Sequence, residues 1–140
     1  ATTKQVINTF GGNPVSSTTA LAVIETIEEE KLMENARVVG DYFMDGLKDM
    51  ARDFPIMADV RGKGLMLGVE IAAADKTPMV QETAKIVEFA KDNGVILGKG
   101  GIFGNVIRIK PALSITKENV DTTLGVMRKA LDTVAKVAAR

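Results

Sequence analysis

From Leu32 to Phe54 an apolar residue falls at every third or fourth position: Leu32, Ala36, Val39, Phe43, Leu47, Met50 and Phe54. That spacing draws one stripe along a helix of roughly six turns, which must be covered by a surface of similar length. The run Asp53-Phe54-Pro55 ends it, because the residue before a proline avoids helical geometry. The cover follows in sequence. In VRGKGLMLGVEI (Val60 to Ile71) the apolar period drops to two, with Leu65, Leu67, Val69 and Ile71 alternating with Met66, Gly68 and Glu70. This reads as a strand with one strongly apolar face. A long one-striped helix beside a one-faced strand restricts the chain to helices stacked on one side of a sheet.

The rest of the chain fits that frame. Asn13 is a good N-cap and Pro14 suits the first helical position, opening a helix to about Glu30 that carries Leu21, Ile24 and Ile27. Val60 to Gly64 reads as a turn leading into the strand, with Arg61 and Lys63 solvated. In KTPMVQETAKIVEFAKDNG, Thr77 is expected to cap a helix that Pro78 opens. Val80, Ala84 and Val87 would line its buried side and Gly94 would stop it. Val95 to Leu97 and Asn105 to Lys110 read as short strands joined by a glycine-rich turn. Thr116 caps a last helix with the stripe Val120, Leu124, Met127, Leu131, Val134 and Ala138. The expected order is helix, helix, strand, helix, strand, strand, helix. This is an α+β fold with a small, mostly antiparallel sheet and helices packed on one face. The other face is left to a partner or to water.

Composition narrows the chemistry. The 140 residues are 46% hydrophobic, enough for a real core. Eighteen basic residues balance eighteen acidic ones along the chain, which argues against a general grip on nucleic acid or anionic lipid. The 4% aromatic content and the absence of Trp weigh against stacking on single strands. With no Cys and no His, disulfides, thiolate chemistry, Ser-His triads and His- or Cys-bound zinc are excluded within the chain, and no metal site is expected. No apolar run approaches the roughly 20 residues that cross a bilayer, and no signal-peptide pattern opens the sequence, so the expected compartment is the cytoplasm. The seven Met residues mostly fall on helical or strand stripes and read as core filler.

Two places stand out as candidate binding elements. In VIRIK, Ile107 and Ile109 point one way while Val106, Arg108 and Lys110 point the other. If the isoleucines face the helices, Arg108 stands on the uncovered face. An arginine on a rigid strand can hold a carboxylate with two parallel hydrogen bonds. The alternative is a solvated charge on an edge strand. In NTFGGNP (Asn8 to Pro14), two glycines run into a helix N-terminus, where backbone N–H groups and the helix dipole favour an anion and the Thr9 hydroxyl adds a donor. The alternative there is a plain loop with an asparagine cap. GKGGIFGN (Gly98 to Asn105) fails as a dinucleotide fingerprint, since its sixth position is Phe103 and a strand follows.

Three stretches, NTFGGNPVSSTTALAVIETIEEEKLMENA, VRGKGLMLGVEI and NVIRIKPALSITKENVD, occur in this order and together resemble the C-terminal part of a class III aminotransferase. This is the pyridoxal-phosphate family with ornithine, 4-aminobutyrate and alanine–glyoxylate members, and the likeness covers essentially the whole chain. It implies the small C-terminal domain of a fold-type I pyridoxal-phosphate enzyme, with residues 1–30 a connecting segment and helix and residues 31–140 the small domain. It implies that Thr9 contacts the phosphate of pyridoxal 5'-phosphate, typically on the neighbouring subunit of a homodimer. Arg108 is implied to hold the substrate carboxylate. No lysine here matches the one that forms the Schiff base: Lys4 lies too close to Thr9, and no later lysine lies in the right motif. The resemblance therefore implies a piece that carries recognition residues for an amino acid and a 2-oxo acid but no catalytic residue, and that is inactive alone. The competing readings are a stand-alone association module with the same fold and a subunit that complements a separate large domain.

Overall fold

The structure, a computed structural model, describes residues 9–138, with side chains as far as Ala135. The expectations placed on Lys4, on Asn8 and on the Ala138 side chain lie outside the described residues. The chain divides into two compact units, one running to Met33 and the other starting at Glu34.

In the first unit, α1 spans Pro14–Glu29. Asn13 caps it as the sequence predicts, its side-chain oxygen accepting the Ser16 N–H at 3.0 Å, with Pro14 in the first turn. The helix closes with the Glu30 N–H bonded to the Thr26 carbonyl at 3.0 Å, and Lys31 then takes a positive φ of 51°. No residue of α1 is buried; Leu21, Val23 and Ile24 are each more than half exposed.

The longer apolar stripe behaves differently. Helix α2 (Leu32–Asp53) buries Val39, Phe43, Leu47 and Met50, and Phe54 follows just past its end. Four strands form one sheet: β1 (Met57–Lys63), β2 (Met66–Ile71), β3 (Gly98–Gly100) and β4 (Val106–Ile109). Their order is β1-β2-β4-β3, and every pairing is antiparallel. Leu67, Val69 and Ile71 of β2 and Ile107 and Ile109 of β4 face one core with the α2 stripe. Ile86 and Ala90 of α3 (Val80–Asp92) and Val120, Met127, Leu131 and Val134 of α4 (Lys117–Ala138) complete it. Each fully buried aliphatic or aromatic side chain in such a core stabilises by about 1.5–3 kcal/mol. Thr116 caps α4 by exchange with Asn119: the Asn119 N–H donates to the Thr116 hydroxyl at 3.3 Å and the Thr116 N–H to Asn119 Oδ1 at 3.2 Å. No described helix is long and apolar enough to cross a membrane.

The α+β class, the single covered sheet face and every helix are as expected, but several local readings are corrected. Of residues 60–64, expected to be a turn, only Gly64 is one. Residues 60–63 belong to β1, which hairpins onto β2 through Gly64 and Leu65, so the described residues form four strands rather than three. β1 is an edge strand whose only buried residue is Met57, and its exposed charges masked its period. Val95–Leu97 is not a strand either; the pairing segment is Gly98–Gly100. The Val95 N–H instead bonds back to the Ala90 carbonyl at 2.8 Å, extending the end of α3. Thr77 does not cap α3, because it lies ahead of the N-cap residue Met79; its N–H donates to Asp75 Oδ1 at 3.0 Å, and Pro78 forms an isolated bridge with Ala72. The helix starts at Val80 after Met79, without a side-chain cap. Its buried stripe is Thr83, Ile86 and Ala90, with Val80, Ala84 and Val87 half-buried beside it. Gly94 ends it with φ of 82°.

Candidate functional site

The sheet face opposite the helices carries the strongest site features. Register aligns Arg61 of β1, Gly68 of β2, Arg108 of β4 and Gly98 of β3 in one row across the sheet. Asp59, Glu70, Val106 and Gly100 form the next row. Because side chains alternate faces, and the neighbours of Arg108 (Ile107 and Ile109) are buried, Arg108 points away from the core. It is exposed, as the alternation predicts.

The two arginines of this row differ electrostatically. Arg61 donates to Asp59 Oδ2 at 2.5 Å and to Glu70 Oε2 at 2.8 Å. The hydrogen bond to Asp59, then that to Glu70, raises its pKa above the ordinary arginine value. It is exposed, as the sequence suggested, but paired. Arg108 forms no ion pair with any described residue, although Asp59 and Glu70 stand on the same face. Its guanidinium is left with its donors free for an anion that reaches the sheet.

Glycines on both sides make the room. A Cβ at Gly98 would sit 3.2 Å from Arg108 Nε and 3.2 Å from its carbonyl oxygen, tighter than ordinary contact. At Gly68 a Cβ would meet Val106 Cγ1 at 3.5 Å and Arg61 Cγ at 4.0 Å, both ordinary contacts, so glycine there is not forced by crowding; it leaves the floor between Arg61 and Arg108 bare. One groove is lined by Arg61, Met66, Gly68, Arg108 and Lys110. Gly68 and Gly98 were not singled out from sequence. The usable signal was glycine at alternating positions within strands, which marks close approach. Asn105 was also missed: buried at the start of β4, it donates from Nδ2 to the Ile71 carbonyl at 3.1 Å, while its own carbonyl accepts the Ile71 N–H at 2.8 Å. These two bonds fix β4, and Arg108 with it, against β2.

Thr9 belongs to the first unit, Arg108 to the second. Thr9 is exposed, just before a turn in which Gly12 has φ of 75°. The Asn13 side chain closes that turn by donating to the Phe10 carbonyl at 2.7 Å while it caps α1. A hydroxyl thus stands ahead of a helix N-terminus, where an anion is favoured. GKGGIFGN, expected to be a glycine turn between strands, instead opens with β3 at Gly98–Gly100; only the residues after it turn the chain toward β4. Among the described residues no cluster of acidic side chains is placed to hold a metal ion.

The sequence model of the aminotransferase class-III family matches residues 2–131. Over 122 residues the chain is 50% identical to an alanine–glyoxylate aminotransferase 2 homologue, mitochondrial, of Arabidopsis thaliana, covering 86% of this chain and 26% of that protein. It is 45% identical over 130 residues to an alanine/serine racemase of Pyrococcus horikoshii, covering 93% of this chain and 27% of the relative. Among solved structures, an aminotransferase from Bacillus anthracis superposes with a TM-score of 0.85 at 31% identity, covering 93% of this chain and 30% of that one. The chain thus spans about a quarter of the length of the curated relatives it matches.

Proposed function

This chain belongs to the class III aminotransferases, and on that premise we propose that it forms the substrate-carboxylate-binding part of an enzyme moving an amino group between an amino acid or amine and a 2-oxo acid. Arg108 holds the carboxylate of each substrate in turn through paired charge-assisted hydrogen bonds. A carboxylate held this way fixes the substrate's Cα and presents it in one orientation to the reacting group. Pyridoxal 5'-phosphate supplies the electron sink for that reaction when bound. The donors present fit its phosphate: the exposed Thr9 hydroxyl gives one hydrogen bond at the foot of α1. In the family's arrangement that phosphate belongs to the neighbouring subunit of a homodimer. The Schiff-base lysine is contributed from outside this chain, so the chain by itself does not turn over.

The observation that carries this reading is the free guanidinium of Arg108 on a bare, glycine-flanked strand face. Its kinetic test uses the holoenzyme that contains this chain. Arg108→Ala is expected to raise KM for carboxylate substrates about 30-fold or more, the equivalent of about 2 kcal/mol for truncating one partner of a charged pair. Arg108→Lys, which keeps the charge and loses the fork, recovers part of the loss. An unchanged KM in Arg108→Ala refutes the assignment.

A further inference from the structure

Arg108 stays unpaired on a face that also carries Asp59 and Glu70. Glu70 lies one row along from Gly68, the residue opposite both Arg61 and Arg108. Its carboxylate is therefore diagonal to two arginines, one on each neighbouring strand. Diagonal neighbours in a sheet stand about 7–8 Å apart, within reach of long side chains. Gly68 places no side chain between them, and both arginines line the same groove. Glu70 is nonetheless committed to Arg61 at 2.8 Å, in a cluster that Asp59 closes at 2.5 Å.

We propose that Arg61 is a positioning residue for carboxylate recognition: by holding the Glu70 carboxylate on the β1 side of the sheet, it keeps Arg108 free for the substrate anion. The inference rests on the role of Arg108 proposed above. Remove Arg61, and Glu70 becomes an internal competitor, a carboxylate tethered beside the arginine meant for an external one. The effect runs in the other direction too, since Asp59 and Glu70 keep the Arg61 guanidinium from capturing the ligand itself.

The test follows the arginine side-chain Nε–H resonances of the 140-residue chain by NMR while pyruvate, a 2-oxo acid, is added. In the unaltered chain the Arg108 resonance shifts on titration. In Arg61→Gln it is already displaced before pyruvate is added, and pyruvate binds about three- to fivefold more weakly, the competition expected of an exposed ion pair worth up to about 1 kcal/mol. Adding Glu70→Gln to Arg61→Gln restores both the free-state resonance and the affinity, a rescue that a merely structural role for Arg61 does not produce. Lys63→Gln removes one positive charge from the same strand without releasing Glu70, and leaves the affinity near that of the unaltered chain. Equal weakening by Lys63→Gln, or no rescue by Glu70→Gln, overturns the inference in favour of a general charge effect. An Arg61→Gln chain that binds as the unaltered one does overturns it alone. No response of Arg108 in the unaltered chain overturns the carboxylate assignment and this inference together.

Discussion

Gly40→Ala sets two well-characterised effects against each other, and the structure says which wins. Gly40 lies in the middle of α2, where alanine in place of glycine normally stabilises a helix by about 1 kcal/mol. But α2 crosses the β1–β2 turn here: a Cβ at position 40 would stand 2.4 Å from the Gly64 carbonyl carbon, 2.5 Å from its oxygen and 2.7 Å from its Cα. All three are backbone atoms, so no flexible side chain can yield. Restoring an ordinary contact requires the helix and the turn to separate by about 1 Å, and overpacking of this kind costs about 1–3 kcal/mol. With backbone on both sides the upper end applies, leaving a net loss of about 2 kcal/mol after the helix gain. For a unit of this size that lowers Tm by about 8 °C. The matched control is Gly125→Ala on α4, where a Cβ meets nothing within 4 Å and the helix gain of about 0.5–1 kcal/mol stands alone. Urea unfolding followed by circular dichroism at 222 nm reads both variants. If Gly40→Ala is as stable as the unaltered chain while Gly125→Ala gains, the close crossing of α2 over the turn is wrong.

Two further predictions concern surface ties. Asn35 donates from Nδ2 to the Leu113 carbonyl at 2.7 Å and the Ile115 carbonyl at 3.0 Å, clasping the segment after β4 to α2. Asn35→Ala should cost about 1 kcal/mol, since water replaces part of the loss, and hydrogen exchange at the Ile115 amide should accelerate; unchanged exchange contradicts the clasp. Tyr42 donates its hydroxyl to Asp121 Oδ1 at 2.7 Å, and that hydrogen bond, then the carboxylate's charge, raises its pKa above the ordinary tyrosine value. A raised folded-state pKa means that the contribution to stability is fully present below the unfolded tyrosine pKa and is lost as pH rises through the folded one. Ultraviolet titration of this chain's single tyrosine should give a midpoint above the ordinary value that falls in Asp121→Asn; equal midpoints in the two proteins reject the bond.

The helices were legible because each is a local pattern. The α2 stripe, the Asn13 and Thr116 caps and the Gly94 stop all lie within a few residues of what they control. The misreadings arose where distant pairing set the structure. β1 looked like a turn because MADVRGK has a nearly all-exposed pattern and becomes a strand only through its ladder to β2. Val95 to Leu97 had the composition of a strand, yet its first N–H was already committed to α3, so pairing began at the less apolar Gly98. Thr77 was a plausible cap, but the bridge between Pro78 and the distant Ala72 keeps the chain extended there and the helix starts only at Val80.

The candidate site divides the same way. Period two alone placed Arg108 on the uncovered face, because it depends only on residues 106 to 110. What makes that arginine usable is non-local. Gly98 lies ten positions upstream and Gly68 forty, and they become its neighbours only through the registers of β3 and β2. The charge balance is equally hidden: Arg61 and Glu70 meet because a hairpin folds one onto the other, and Glu70 stands beside Arg108 only because β4 pairs on the far side of β2. A strand order with β4 outside β1 would leave the sequence motifs untouched and put Arg61, with its two carboxylates, between Glu70 and Arg108. The carboxylate-binding reading therefore depends on the order β1-β2-β4-β3 as much as on the arginine itself.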